Sequence, residues 1–175
     1  MNIATVARRF LLPRFAVTVL YGIRYKCFVS PRAEVEYTGN IKIGRHTRIS
    51  SFTKIQATDG PLEIGKKVSI SAGAAISTCN AGIVIGDRVL VSPNVAIIGG
   101  NYQYDRVDLP LYEQGLTSKG IRIGNNVWIG SNCVILDGAQ IGDDVIVAPS
   151  SVVSTEVPKN CIVHGNPAKV VFERR

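Results

Sequence analysis

Aliphatic side chains recur at every sixth position along most of this chain. The uninterrupted series occupy positions 43–55, 64–76, 85–97 and 123–153, and a glycine often follows the aliphatic residue. A period of six fits neither the 3.6-residue repeat of an amphipathic helix nor the two-residue alternation of a single strand. It fits a parallel β-helix, in which each hexad forms a short strand and a turn, and three hexads close a triangular coil. We therefore predict an all-β fold filled by stacked aliphatic side chains.

A second pattern supports the first. The fourth residue after each aliphatic position is small or β-branched in all the uninterrupted hexads, as expected for side chains that line the wall or core. Cys133 belongs to this set, so we exclude it as a nucleophile. The set comprises Thr47, Thr53, Val68, Ala74, Val89, Val95, Val127, Cys133, Ala139, Val145 and Ser151.

The coils can be counted from their first aliphatic residues. The early coils begin at equal intervals, whereas the interval from Ile85 to the next start at Ile123 is almost twice as long. That coil carries about 20 additional residues, and an insertion of this length in a regular solenoid is usually functional or disordered. We place the inserted loop at 98–120, within a β-helix over 29–160 and before a C-terminal tail over 161–175. The coils begin at Ile43, Ile64, Ile85, Ile123 and Ile141, after a partial coil that contains Val29 and Val35.

Charge distinguishes the segment 1–28, which we treat as a basic arm. The net charge is +7, and no acidic residue precedes Glu34. Such a patch attracts phosphate groups, acidic lipid or nucleic acid, although no nucleic-acid-binding module is present and we expect no such partner. The apolar run at 15–23 is too short for a membrane span, which needs about 20 residues. The arm, helical or extended, either packs on its own domain or contacts an anionic membrane. Its basic residues, with one just beyond it, are Arg8, Arg9, Arg14, Arg24, Lys26 and Arg32.

Cysteine and histidine are sparse. The four cysteines are scattered without a CxxC pair, and there are only two histidines, so we expect no metal site. We interpret the thiols as the reduced cysteines of a cytoplasmic protein, with the inner face of the membrane as a further location for the arm.

Three motifs resemble the hexapeptide-repeat acyltransferases, in particular the branch of sugar and xenobiotic O-acetyltransferases that includes maltose and galactoside acetyltransferases. They are GGNYQYD…LPLYEQG, SKGIRIGNNVWIGSNCVIL and GNPAK. The resemblance implies a left-handed β-helix that forms a homotrimer, with active sites between subunits near the inserted loop. It implies acetyl-CoA or another acyl-CoA as the donor, and a loop histidine that takes the proton from the acceptor hydroxyl.

That histidine is absent here. In a family pattern like N-H-x-[FY], Tyr102 stands in the place of the histidine. A tyrosine ordinarily titrates near pH ~10 and is a poor base unless a cation depresses its pKa. Arg106 is close in sequence, and Asp105 is the other titratable neighbour, so we name Tyr102 and Asp105 as catalytic candidates. His46, in an early corner, and His164, in the tail, are not expected to serve as the base.

The resemblance also marks a donor groove. The corner that normally offers backbone N–H groups to the pantetheine arm matches Ala148, Pro149 and Ser150, and proline has no N–H. Lys169 matches a position that contacts the CoA phosphates. Trp128 matches a groove-lining position, or packs between subunits. The cofactor-binding candidates are Trp128, Ser131, Pro149, Ser154 and Lys169.

Two functions from different classes remain. The first is an acyl-CoA-dependent O-acyltransferase that acetylates a hydroxyl of a sugar or polysaccharide. The second is a catalytically impaired trimeric β-helix that serves as a glycan- or protein-binding scaffold, suggested by the missing histidine and by Pro149. Binding of acyl-CoA discriminates between them, because fold alone does not fix function.

Overall fold

A computed structural model describes residues 14–57 and 59–175 of the chain. In this part, one α-helix, α1 (Arg14–Tyr25), precedes 22 short β-strands and one 3-10 turn (Leu111–Glu113). Twenty of the strands form three sheets, and the other two form a hairpin.

The three sheets are the faces of a prism, and each coil contributes one strand to each face. The first sheet contains β1 (Phe28–Val29), β4 (Arg48–Ile49), β7 (Ser69–Ile70), β10 (Leu90–Val91), β15 (Trp128–Ile129), β18 (Ile146–Val147), β21 (Cys161–His164) and β22 (Lys169–Glu173). The second sheet contains β2 (Glu34–Val35), β5 (Lys54–Gln56), β8 (Ala75–Ser77), β11 (Ala96–Ile98), β16 (Val134–Leu136) and β19 (Val152–Val153). The third sheet contains β3 (Ile41–Ile43), β6 (Leu62–Ile64), β9 (Ile83–Ile85), β14 (Ile121–Ile123), β17 (Gln140–Ile141) and β20 (Glu156–Val157).

The predicted stacking is confirmed by the strand register. The five aliphatic residues that open the coils are successive partners in the third sheet, whose strands are all parallel. All eleven members of the second pattern are buried, with at most 1% of their surface exposed. The result is a left-handed parallel β-helix, as expected. The core is one continuous column because each coil covers the apolar surface of the next.

Three corners connect the sheets of the prism, and each corner recurs at equivalent positions of successive coils. Corner I joins the first sheet to the second, and includes residues 92–94, 130–132 and 148–150. Corner II joins the second sheet to the third, and the inserted loop of residues 99–120 leaves the prism there. Corner III joins the third sheet to the first, and includes residues 44–46 and 65–67.

Helix α1 covers the N-terminal end of the prism. Tyr21 is only 2% exposed and its hydroxyl donates to the carbonyl oxygen of Glu36 at 2.7 Å, while the Tyr25 hydroxyl donates to that of Ile41 at 3.0 Å. Packing of the arm on its own domain is therefore observed for this helix. Arg8 and Arg9 lie outside the described residues. No helix in the described part is long and apolar enough to cross a membrane.

The C-terminal residues extend the first sheet. Strand β21 pairs in parallel with β18, so the regular stacking reaches His164. A turn with a cis peptide between Asn166 and Pro167 then reverses the chain, and β22 returns antiparallel to β21. This tail closes the C-terminal end of the sheet.

Candidate active site

The inserted loop is a hairpin that projects from corner II. Its strands, β12 (Asn101–Tyr102) and β13 (Leu116–Thr117), pair antiparallel. The N–H of Gln103 donates to the carbonyl oxygen of Gly115 at 3.0 Å, which extends the ladder by one residue. Gly100 begins the hairpin, and a Cβ atom there would lie 2.8 Å from the Cβ of Cys79. The chain can therefore leave the prism at this point only with a very small residue.

A buried carboxylate holds the other end of the hairpin. Asp137 lies beneath the returning chain, and its oxygens accept the N–H of Lys119 at 2.8 and 2.9 Å and that of Gly120 at 2.8 Å. The Ser118 hydroxyl donates to the carbonyl oxygen of Gly99 at 2.9 Å and accepts the N–H of Ala81 at 3.1 Å. These bonds fix the base of the hairpin to the prism.

The tip of the hairpin is organised by its own polar side chains. The Nε of Arg106 donates to Asp108 at 3.1 Å, in a two-pronged ion pair that holds the pKa of this carboxyl below its usual range. The Gln114 side chain donates to the carbonyl oxygens of Arg106 at 2.7 Å and Leu109 at 2.9 Å, and accepts the Arg106 N–H at 3.1 Å. The tip is thus closed on itself.

Both predicted catalytic residues lie on this hairpin and face solvent. Tyr102 is on β12 with 54% of its surface exposed, and Asp105 is exposed further along the same loop. Neither side chain makes a hydrogen bond or ion pair with any residue in the described ranges. The cation that was closest in sequence, Arg106, is committed to Asp108 and is not paired with Tyr102. Within one chain, therefore, Tyr102 has no cationic partner among the described residues.

Three of the predicted donor-binding residues gather at corner I. The indole N–H of Trp128, on the outer side of β15, donates to the hydroxyl of Ser92 at 3.0 Å. Ser131, in the same coil as Trp128, and Pro149, in the next coil, are stacked at this corner, where the N–H of Ser150 donates to the carbonyl oxygen of Ser131 at 2.9 Å. These residues form a half-exposed column along one edge of the prism.

The GNPAK turn joins the same corner. The Gly165 N–H donates to the hydroxyl of Ser151 at 3.1 Å, and the Ala168 N–H donates to the carbonyl oxygen of Val152 at 2.8 Å. These bonds hold the turn beside Pro149. Lys169 opens β22 directly after the turn, with its side chain exposed and His164 as its strand partner. The structure therefore brings Lys169 to the corner that also holds Ser131.

Ser154 lies elsewhere. It follows β19 at corner II, and its carbonyl oxygen is 3.9 Å from a Cβ atom built on Gly138, beside Asp137. One chain thus places Tyr102, Asp105 and Ser154 at the loop corner, and the other candidates at corner I. The two groups occupy different edges of the prism.

The remaining sequence candidates behave as structural residues. Cys133 is fully buried, its thiol donates to the carbonyl oxygen of Ala148 at 3.1 Å, and burial raises the pKa of this thiol. His46 is exposed at corner III with a positive φ of 62°. No group of three or more His, Cys, Asp or Glu side chains within 14–57 and 59–175 is arranged to hold a metal ion.

Sequence reasoning missed Asp137 and Ser118, which position the hairpin rather than carry chemistry. The sequence carried no signal for Asp137, because Asp87 and Asp143 also stand two positions after a core isoleucine and are not buried. Ser92, the partner of the indole, was missed because its contact joins residues 36 positions apart.

The repeat region has recognisable relatives. Residues 120–155 match the family model described as bacterial transferase hexapeptide (six repeats). Over 53 residues the chain is 45% identical to the galactoside O-acetyltransferase of Escherichia coli strain K12, a match that covers 30% of this chain and 26% of that relative. Over 52 residues it is 42% identical to a chloramphenicol acetyltransferase of Agrobacterium fabrum, covering 30% of this chain and 25% of the relative. The matched segments span about a quarter of the length of these relatives.

Solved structures share the fold over most of the chain. AntD, an N-acyltransferase from Bacillus cereus solved with dTDP and 3-hydroxybutyryl-CoA, superposes with a TM-score of 0.78 at 21% identity, covering 90% of this chain and 87% of that chain. A mutant GDP-perosamine N-acetyl transferase from Caulobacter crescentus, solved with CoA and GDP-perosamine, gives 0.64 at 18% identity, covering 92% of this chain and 66% of that chain.

The fold and the matched repeats define the class: the described chain is a left-handed parallel β-helix, and its residues 120–155 are similar to bacterial transferase hexapeptide repeats. Over 52 to 53 residues the chain is similar to a galactoside O-acetyltransferase and a chloramphenicol acetyltransferase, which belong to the branch that its motifs predicted.

Proposed function

We propose that this protein is an acyl-CoA-dependent O-acyltransferase that transfers an acetyl group to a hydroxyl of a sugar, in polysaccharide or lipid-linked glycan synthesis. One observation carries the proposal: a hairpin held rigidly at its base projects exposed Tyr102 and Asp105 from corner II. The base of the hairpin is fixed by hydrogen bonds to Asp137 and Ser118, whereas Tyr102 and Asp105 are left exposed for other molecules. The names of the relatives, O-acetyltransferases among them, support the choice of reaction.

The separation of the two edges supports a site shared between subunits. Tyr102 and Asp105 project from one edge, and Trp128, Ser131 and Lys169 lie along another, so one chain does not bring them together. Parallel packing of three prisms would bring the hairpin of one subunit to corner I of its neighbour. A homotrimer is therefore part of the proposal, because cyclic symmetry would complete each site in the same way.

In the donor groove, coenzyme A supplies the acyl thioester when bound. The exposed ammonium of Lys169 would hold its phosphates, and Trp128 would offer an apolar face along corner I. The corner at Pro149 lacks one backbone N–H, so the pantetheine amides would depend on the neighbouring Ser131 and Ser150. Ser150 is exposed and Ser131 is half-buried in the single chain, so both can contact a ligand without displacing the core.

The transfer itself needs a proton acceptor at the hydroxyl. The acceptor oxygen forms a bond to the acyl carbon, the carbon–sulfur bond breaks, and the hydroxyl proton passes through a base to the departing thiolate. The carboxylate of Asp105 is exposed and free to accept this proton, and Tyr102 lies on the same hairpin to orient the hydroxyl. Positioning of the two substrates supplies a further part of the rate.

Calorimetric titration with acetyl-CoA, with free CoA as the control, tests the donor site first. Micromolar binding that Lys169→Glu weakens would support the groove. If neither ligand binds, the proposal fails for this donor, and the scaffold alternative suggested by Pro149 is favoured.

Turnover against a panel of sugar acceptors tests the reaction. Asp105→Asn should lower kcat by at least about 100-fold if Asp105 is the base, and Tyr102→Phe should have a smaller effect. Exclusive transfer to the amino group of amino-sugars would overturn O-transfer while leaving acyl transfer in place. Full turnover of the Asp105→Asn variant would remove Asp105 from the mechanism.

A cytoplasmic location, at the inner face of the membrane, completes the proposal. It is supported by the basic composition of the segment before Glu34, which contains no acidic residue. Fractionation of cells that express the protein, with and without high salt, would test it. Recovery outside the cytoplasm and inner membrane would contradict it.

A further inference from the structure

Helix α1 is apolar on two opposite sides. Its inner ridge, formed by Val17, Tyr21 and Tyr25, packs against the core at the end of the prism. Phe15, Val19 and Ile23 form a second ridge with the same four-residue spacing, and they are 64%, 50% and 77% exposed. A surface helix normally turns one apolar stripe inward and a polar face to water. The outer ridge is therefore unexplained by the fold.

The outer ridge points away from the protein. It is offset by two residues from the inner ridge, which places it about 200° around the helix axis. Because the inner ridge covers the prism end, the outer ridge faces along the axis into solvent. From Phe15 to Ile23 it runs for about 12 Å, which is enough for three apolar side chains to enter a planar surface together.

The ridge is accompanied by positive charge. Lys26, just after the last turn, is exposed, whereas Arg24 lies on the side of the inner ridge, with its guanidinium 5.2 Å from the centre of the Tyr25 ring. The chain continues this charge at corner III, where the N–H of His46 donates to the carbonyl oxygen of Lys26 at 2.9 Å and Arg45 is exposed beside it. The first acidic residues in the chain are Glu34 and Glu36, and the Glu36 carboxylate accepts the N–H of Ala57 at 2.8 Å in the prism wall.

We propose that the outer ridge of α1 is a docking surface for an anionic phospholipid bilayer. Phe15, Val19 and Ile23 enter the boundary between head groups and acyl chains, and Lys26 and Arg45 bind the lipid phosphates. An amphipathic helix with a cationic border has the chemistry that such an interface selects. The charges favour a bilayer over a second copy of this chain, because two copies of this surface would bring like charges together.

The contact would orient the whole protein. The prism axis would stand along the membrane normal, since α1 closes the prism end. The loop corner would then face sideways, parallel to the bilayer, rather than into it. This inference rests on the membrane-face location given under the proposed function, and it does not depend on the identity of the acceptor or on acyl transfer.

Vesicle flotation of the full chain tests the proposal. We expect binding to phosphatidylcholine vesicles that contain about 30% phosphatidylglycerol, weak binding to phosphatidylcholine alone, and release as salt rises above about 0.5 M. Ile23→Asp should lower the partition coefficient by about tenfold, because one large apolar side chain no longer enters the interface. Phe52→Asp is the matched control, since Phe52 is 69% exposed on a corner of the prism and not on α1.

The basic border is tested separately. The double variant Lys26→Asn with Arg45→Gln should bind the anionic vesicles roughly 25-fold more weakly, at roughly fivefold for each charge. Lys159→Gln is its control, because Lys159 is exposed at corner III at the other end of the prism.

Three results would overturn the proposal. The full chain could fail to float with the anionic vesicles, or Ile23→Asp could bind as well as the unmodified chain. Alternatively, Ile23→Asp could lower the mass in sedimentation without lipid, which would show that a second copy covers the ridge. Acetyl-CoA binding measured on the same preparation distinguishes these failures from failure of the enzymatic proposal.

Discussion

Asp137 shows how a single buried carboxylate can determine the position of a functional loop. It accepts hydrogen bonds from two successive backbone N–H groups where the hairpin rejoins the prism. A buried acceptor of this kind is costly to remove, because both donors lose their partner in a place that water does not reach. The residue has no part in the proposed chemistry, yet the hairpin depends on it.

Asp137→Ala is expected to lower the free energy of unfolding by about 2 kcal/mol and to reduce turnover with a larger effect on kcat than on donor affinity. Chemical denaturation and steady-state kinetics would measure the two effects. Asp87→Ala is the control, since Asp87 accepts one N–H from Lys66 at 2.7 Å, far from the hairpin. Equal kinetic effects of the two substitutions would contradict a positioning role for Asp137.

The glycines stacked at corner III lie too close to the next coil to carry a side chain. A Cβ atom on Gly86 would lie 2.6 Å from the carbonyl oxygen of Gly124 in the next coil, whereas one on Gly39 would meet nothing within 4 Å. The first contact is with backbone and cannot be relieved by a rotamer change.

Gly86→Ala should therefore destabilise the protein by about 2 kcal/mol, while Gly39→Ala should change stability by less than about 0.5 kcal/mol. Thermal or chemical denaturation of the two variants would measure the difference. A Gly86→Ala protein as stable as the unmodified chain would show that adjacent coils can separate without cost.

At the scale of the element, α1 is held to the prism by tyrosines. Tyr21 is buried and donates to the carbonyl oxygen of Glu36, and burial raises the pKa of its hydroxyl well above the usual range. The neutral phenol is thus favoured in the folded state. The contribution of the neutral Tyr21 hydroxyl to the free energy of unfolding is complete below the unfolded pKa of about 10. It is lost progressively as the pH rises above that value.

We expect the free energy of unfolding to fall above pH ~10 by up to about 1.4 kcal/mol per pH unit from this residue alone. Tyr21→Phe should be less stable by about 1 kcal/mol at neutral pH, with a difference that narrows or reverses in alkali. Denaturation curves from pH ~7 to pH ~11 would show this. Tyr112→Phe is the control, since Tyr112 is exposed, and its difference from the unmodified chain should stay constant.

The sequence predicted the elements that repeat and missed those that do not. Hexad spacing was enough to assign Ile85 and Ile123 to one stack across the whole insertion, because only one register buries both. It could not show that Arg106 is paired with Asp108, since ion-pair choice depends on loop geometry. It also could not show that α1 is apolar on two sides, because the buried ridge is defined by Tyr21 and its contacts with the prism.

At the scale of the molecule, the candidate site residues are distributed over two edges of the prism, corner I and corner II. The sequence placed Ser154 and Ser131 in one groove by resemblance, and the structure puts them at corners II and I. The count of hexads after the insertion assigns Ser131 to corner I and Ser154 to corner II, so the common groove followed from the resemblance and not from the spacing. Whether a neighbouring subunit reunites the two edges is a question for mixed assemblies.

Mixed trimers would test whether a neighbouring subunit brings the two edges together. A loop variant that carries Asp105→Asn and a groove variant that carries Lys169→Glu should each have low activity, yet refolding them together in equal amounts should restore about a quarter of the sites. Recovery measures sites that combine an intact hairpin from one chain with an intact groove from another. If mixing restores no activity, each site is built within a single chain, and the shared-site proposal is wrong.

The hairpin leaves and re-enters the prism at one corner while Ile85 and Ile123 keep their register. The length of the hairpin is therefore independent of the stacking of the coils. The stacking of the coils does not constrain what is inserted between β11 and β14, provided that Gly100 and the Asp137 anchor remain. A lineage could exchange this segment to change the acceptor while inheriting an unchanged frame, and a protein engineer could do the same.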